Sequence, residues 1–352
     1  MSMRSLSFPE FRAMTRRLPR AFGFFHALAA VAVAGEAWAT EPATLGGRPF
    51  AAPGVEVPMP RSWIDAPVTR KARKPVALAL SLDQQLYPAL LPLIERFARD
   101  RDIEIAVQEG TCGTSTGALA EKSADITGFC CPPGETDRLP GLRFHTVGIG
   151  SIALLVHPGN PIEGVTADAA RRLFGGHARD WGDLPMGGVK LHPKGEVRAI
   201  TRLHCKSRPG HWRLILDDED QFGRDVEEVS AIEDMILQVS RNKGAIGYET
   251  LYHATLFAES RKAAVRTIKV DGKAPEDQDA LAAGKYPFYR VFNITTWSQG
   301  PATDPLAREL AAWLLAQADA GALDPRYGIV PAARLRANGW KFLDDELVGE
   351  PD

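Results

Sequence analysis

From residue 76 onward, short apolar runs alternate with segments whose apolar positions recur at helical spacing. Val76–Leu80 reads as a strand, and Tyr87–Arg99 places Leu90, Leu91, Ile94, Phe97 and Ala98 on one helical face. Ile103–Gln108 is a second strand. The Gly-rich GTCGTSTG after it opens a short helix ending near Lys122. Asp125–Gly128 is again a strand, with the CCPPG loop after it. Gly148–His157 is a long apolar run that stops at Pro158-Gly159-Asn160-Pro161, a connection out of the first unit. Next come a helix over Thr166–Phe174, a Gly/Trp turn over Gly175–Leu184 and a strand over Val197–Leu203. A helix begins near Arg208, another spans Ala231–Asn242, and Gly244–Tyr248 is a tight strand entry. Tyr289–Thr296 is a second long strand that can carry the chain back. The helices Pro305–Ala318 and Ala332–Ala337 then close the first lobe. Alternating strands and helices predict an α/β fold of two lobes. Each is a mostly parallel sheet flanked by helices, and two crossing strands join them.

The first forty residues have another pattern. Arg12, Arg16, Arg17 and Arg20 precede the apolar stretch Ala21–Ala34, and Ala37-Trp38-Ala39 supplies a small-x-small cleavage site. The stretch is shorter than the roughly 20 residues a permanent anchor needs. Residues 1–39 therefore read as a cleavable signal peptide, and the expected location is the periplasm. The Arg16-Arg17 pair fits a twin-arginine signal poorly because of Pro19 and the residues after it, so the export route stays open. Residues 40–74, rich in Pro, Gly and Ala with a basic end, read as a tether or wrapping arm. The lobes then divide as 75–150 plus about 290–352 for the first and about 151–289 for the second.

Composition changes this picture little: 352 residues, 45% hydrophobic and 24% charged, suit a globular protein of one large or two modest domains. Removing residues 1–39 takes five arginines and two glutamates and leaves the chain near −5, which argues against a nucleic-acid partner. All four cysteines, Cys112, Cys130, Cys131 and Cys205, lie beyond the cleavage site and enter a compartment where disulfides persist.

Several stretches, in order, resemble the phosphate-type substrate-binding proteins of ABC transporters, class II periplasmic binding proteins, over roughly residues 76–297. They are LDQQLYP, GTCGTSTGALAEKSADITGFCCPP, ALLVHPGNPIEGVTADAARRLFGGHARDWGDL, VRAITRLHCKSRPGHW, NKGAIGY and VDGKAP with GKYPFYR. The resemblance implies a receptor that closes two lobes on a small anionic solute, phosphate or a relative. It implies delivery to an inner-membrane permease or sensor, a monomer, no cofactor and no catalysis. Carried onto this chain, the ligand contacts are Gln84, Gln85, Cys112, Gly113, Thr114, Cys130, Arg202, Lys206, Ser207 and Arg208. Independently of the family, loops that open helices offer N–H groups and a positive dipole end to an anion.

The departures are as informative. Cys112 and Cys130 fall where the family has a serine and a polar or acidic contact. The serine-glycine-threonine after Arg202 reads Lys206-Ser207-Arg208. Three explanations stand open for the cysteines: a disulfide of Cys112 with Cys130 or Cys131, small polar filling of an oxyanion cleft, or a thiophilic ligand. For the last, Cys112, Cys130, Cys131, His204 and Cys205 are the candidate ligands of a soft metal or metalloid. A disulfide-stapled accessory protein without transport role is the corresponding alternative function. A Cys nucleophile with His204 as base is set aside because the two belong to different lobes. The acidic run Asp217–Asp220 lacks calcium-loop spacing.

Overall fold

In the computed structural model the described residues are 55–352, except 135, 185–194, 203–214, 217–220 and 262. The signal-peptide reading of residues 1–39, the start of the arm and the helix expected near Arg208 lie outside them, as do His204, Cys205, Lys206, Ser207 and Arg208.

The chain opens with a one-turn helix α1 (Arg61–Ile64), then β1 (Leu78–Asp83), α2 (Tyr87–Asp100), β2 (Ile105–Gly110), α3 (Cys112–Ala120) and β3 (Ile126–Phe129). The long β4 (Leu142–Val156) comes next, then β5 (Gly164–Val165), α4 (Ala167–Phe174), β6 (Arg198–Thr201), β7 (Glu227–Glu228), α5 (Ile232–Arg241) and β8 (Ala245–Thr250). After α6 (Leu251–Arg261), β9 (Arg266–Val270) and α7 (Gln278–Ala282), the second long strand β10 (Tyr289–Trp297) leads to α8 (Pro305–Asp319). The chain ends with β11 (Ile329–Pro331), α9 (Ala332–Ala337) and a hairpin of β12 (Lys341–Leu343) and β13 (Glu346–Gly349).

The main sheet runs β2-β1-β3-β10-β4-β8-β6-β7. Pairing is parallel between β1 and both β2 and β3, between β5 and β9, and between β6 and both β7 and β8. It is antiparallel wherever β4 or β10 takes part. These two strands join two separate hydrophobic cores. The first core is built on Leu80, Leu90, Phe97, Ile126, Phe144, Ile294 and Leu310. The second is built on Leu154, Phe174, Ile200, Ile236, Ile246 and Val291. Along β4 the core changes between Val147 and Ile149, and along β10 between Phe292 and Val291. The pairing register also slips at Phe292/Asn293. The molecule is thus a two-lobed α/β fold with both crossings in β-strands.

Most elements form where the pattern puts them, within two or three residues. The buried face of α2 is Ala89, Leu90, Leu93, Ile94 and Phe97, so Leu91 and Ala98 flank it rather than fill it. α9 also departs from expectation: Leu335 belongs to the second core, because β11 pairs with β4 at the crossing itself and sets the next helix down on that side. The pairing is close enough to require Gly148, where a Cβ would meet Val330 O at 2.3 Å. The described part of the arm wraps. Trp63 packs edge-on to Trp297, Thr69 N donates to Lys122 O, and Arg70 forms a fork with Asp125 while also reaching Asp304.

Candidate functional site

The carboxyl ends of the parallel strands in both lobes face one place, the position where open α/β sheets take ligands. β1 ends at Asp83, β3 runs into Cys130 and Cys131, β6 runs into Arg202, and β8 ends at Glu249-Thr250. The crossing strand β10 contributes Arg290 near its start. Asp83, Cys112, Cys130, Cys131, Arg202, Glu249 and Arg290 are all at most 1% exposed.

α3 starts here because Thr111 caps it. The Thr111 hydroxyl accepts from Thr114 N while the Thr114 hydroxyl accepts from Thr111 N, both at 3.3 Å. Gly110 makes this box fit, since a Cβ there would meet the Thr114 side chain at 2.7 Å. The cap uses the hydroxyl expected from Thr114 as a ligand donor. Gly113 is exposed, with only Thr111 Oγ1 near a virtual Cβ, so its backbone is approachable. Cys112, at the first position of α3, points inward: its sulfur lies 3.4 Å from Asp83 Oδ2, 3.5 Å from Cys130 Sγ and 3.8 Å from Cys131 Sγ. A disulfide needs about 2.05 Å. The expected bonds from Cys112 to Cys130 or Cys131 are therefore not formed, and the sulfurs meet at contact distance instead.

The electrostatic centre is Glu249. It accepts from Arg202 Nη1 at 2.7 Å, Gln85 Nε2 at 2.8 Å, its neighbour Thr250 N at 2.9 Å and Arg290 Nη2 at 3.3 Å. Burial alone would push this carboxyl up, but the charges of Arg290, Arg202 and His253, with the Thr250 hydrogen bond, outweigh it and hold it at about 2. Asp83 goes the other way: burial, then the neighbouring Cys112 sulfur, raises it well above the usual carboxylate range. The Cys130 thiol is raised by its contacts with Cys112 and Cys131, then by burial and by Asp83. Among the described residues, two guanidinium groups thus face the Glu249 carboxylate.

Other expected contacts fall nearby. Gln84 is half-buried and donates its N–H to Gly110 O. Gln85 spans the lobes: besides bonding Glu249, its Oε1 accepts from the Thr250 hydroxyl at 2.9 Å. That leaves His253 Nδ1 as donor to Thr250 Oγ1 at 3.0 Å. Arg290 Nη1 reaches Cys130 Sγ at 3.7 Å, and its Nε is buried with no hydrogen-bond partner among the described residues. Sequence reasoning missed Asp83, Glu249 and Arg290. The available signal was a charge set in an otherwise buried strand, as in GAIGYET and FYRVFNITTW.

A family model described as a PBP superfamily domain matches residues 69–318. The phosphate-binding protein PstS of Bacillus subtilis is 23% identical over 271 residues, 75% of this chain and 84% of that protein. An ABC-type phosphate transport receptor from Vibrio cholerae superposes with a TM-score of 0.58 at 19% identity, over 72% of this chain and 99% of that one. A Clostridium perfringens phosphate ABC transporter substrate-binding protein with bound phosphate gives 0.59 at 15% identity, over 72% and 98%.

Proposed function

The chain belongs to the PBP superfamily, whose members bind solutes rather than transform them, and on that premise we propose that it is an exported receptor closing two lobes on a small oxyanion. The observation that carries the reading is Arg290. It lies fully buried on a crossing strand, tied to Glu249 on one side and Cys130 on the other, with a buried Nε lacking a partner among the described residues. An orphaned buried donor costs about 1–3 kcal/mol, which a ligand oxygen would recover. Arg202 from the second lobe and the N-terminus of α3 from the first complete a positive enclosure.

Among the described residues, Glu249 already occupies much of both guanidinium groups. The similarity of PstS and the phosphate receptors supports phosphate or a relative as the first anion to test. Residues 1–39 fit export to the periplasm with cleavage after Ala39. Delivery to an inner-membrane permease or a sensor, as a monomer, accords with the family pattern. A disulfide-stapled accessory role draws nothing from Cys112, Cys130 and Cys131, whose sulfurs are not bonded to one another.

Isothermal titration with inorganic phosphate across pH 5–8 tests the reading. Wild-type protein is expected to bind phosphate, and Arg202→Gln to lose at least about tenfold, some 1.4 kcal/mol. Phosphate affinity unchanged by Arg202→Gln would overturn it.

A further inference from the structure

The basic end of the arm and the later turns of α3 border a second cavity, of about 590 Å³, outside the oxyanion cleft. Its floor is the β1–β2 edge of the sheet. Strand alternation puts Ala79, Ser81 and Asp83 on one face of β1 and Leu78, Leu80 and Leu82 on the other. Asp83 meets Cys112 at the start of α3, so the first of these faces is the one α3 covers. The parallel register sets Ala106 beside Ala79 and Gln108 beside Ser81. From α3, Gly117 and Ala118 border the cavity, and a Cβ on Gly117 would meet nothing within 4 Å. Small side chains on both walls leave open the space that a packed helix–sheet seam fills.

The cavity is polar at both ends. At one end Ser81 is 2% exposed, and its Oγ is buried with no hydrogen-bond partner among the described residues. The exposed Gln108 stands beside it. At the other end lies the arm, held to the start of β2 by Ala77 N donating to Glu104 O and by Lys74 pairing with Glu104 at 2.9 Å. Lys71 pairs with Glu121, while Arg73 is exposed with no ion pair among the described residues. Between the two ends lies the Ala79–Ala106 pair, so the apolar stretch covers two strand residues, about 7 Å.

We propose that this cavity is a second ligand site, for a hydroxylated aromatic acid. Its ring rests against Ala79, Ala106 and Ala118, its carboxylate meets Arg73, and its hydroxyl bonds Ser81 and Gln108. The chemistry of each end selects this class. A buried hydroxyl without a partner is costly, and a ligand hydroxyl supplies the missing hydrogen bond. A guanidinium forks onto a carboxylate. A single ring with these two groups at opposite ends matches the apolar stretch of about 7 Å. The cavity volume falls in the range of small-molecule sites. The site is independent of the oxyanion cleft, since Asp83, Arg202, Glu249 and Arg290 do not border it.

The test is to titrate the purified protein with 4-hydroxybenzoate and with benzoate, read by ligand-observed NMR. Wild-type protein should bind 4-hydroxybenzoate at least about tenfold more tightly than benzoate, the two differing by the hydroxyl alone. Ser81→Ala should abolish that preference and leave benzoate affinity in place. Arg73→Ala should weaken both acids by about tenfold. Ala106→Leu should block both by filling the cavity. Inorganic phosphate titrated into the same variants should bind as it does to wild type, so this site and the oxyanion cleft stand or fall separately. Near-UV circular dichroism identifies any variant that fails to fold. Should Ala106→Leu be one, the exposed Arg73→Ala and Ser81→Ala, whose hydroxyl oxygen has no bond to lose, carry the test. Absence of 4-hydroxybenzoate binding, equal affinity for the two acids, displacement of the acid by phosphate, or binding unchanged by Arg73→Ala and Ser81→Ala would overturn the proposal.

Discussion

Glu249 shows how one side chain can set the character of a cleft. Its carboxylate is fully buried and satisfied by two arginines, a glutamine and a backbone N–H. Replacing it by Gln leaves two guanidinium charges facing one another without a counter-ion. Glu249→Gln should cost about 3–5 kcal/mol in urea unfolding at pH 7. The pH dependence has a definite sign. The carboxyl titrates at about 2 in the fold against 4.5 ordinarily, so its contribution is complete above pH 4.5 and drains away as pH falls towards 2. Wild-type stability should therefore drop across that window, and Glu249→Gln should flatten the drop. Asp83, raised by burial, acts oppositely: its penalty is absent below pH 3.8 and grows as pH rises through its elevated value. Asp83→Asn should accordingly gain stability at neutral pH, and an unfolding midpoint unchanged or lowered at pH 7 would contradict this assignment.

Among the elements, the arm and the crossing strands matter most. Arg70 gives the buried Asp125 a forked partner at 2.7 and 2.9 Å, and Asp125 in turn accepts from Ala79 N on β1. Arg70→Ala should lower stability by about 1–3 kcal/mol, read as a shifted denaturation midpoint with unchanged slope. Lys122, above the Trp63 ring and bonded to Ile64 O and Ala66 O, anchors the same arm from the other direction. At the crossing, Gly148→Ala would drive β4 and β11 apart, since the new methyl meets Val330 O. A loss of about 1–3 kcal/mol is expected, the usual cost of overpacking.

For the molecule as a whole, two cores joined by two strands are the architecture of a hinge. Gln85 ties them across the cleft through Glu249 and Thr250, as Arg290 does through Glu249 and Cys130. Gln85→Ala should enlarge the ligand-free radius of gyration in solution scattering, and saturating solute should bring it back towards the wild-type value. Identical profiles for the two proteins, with and without solute, would show that this contact does not govern closure.

What the chain reveals locally and what it does not is a matter of range. The sequence alone determined the alternation of elements, the two lobes and the two crossings, because apolar periodicity is local and each strand carries its own signal. It also pointed to Cys112, Cys130, Gln85 and Arg202, each of which sits where a strand hands over to a loop or helix. It could not decide that Cys112 meets both Cys130 and Cys131, nor that Glu249 gathers Arg202, Arg290 and Gln85 from three distant stretches. Those pairings depend on where β1, β3, β8 and β10 end in space, which the register of the whole sheet sets. The same holds for bonded against contacting sulfurs, a difference of little more than 1 Å that no residue pattern encodes.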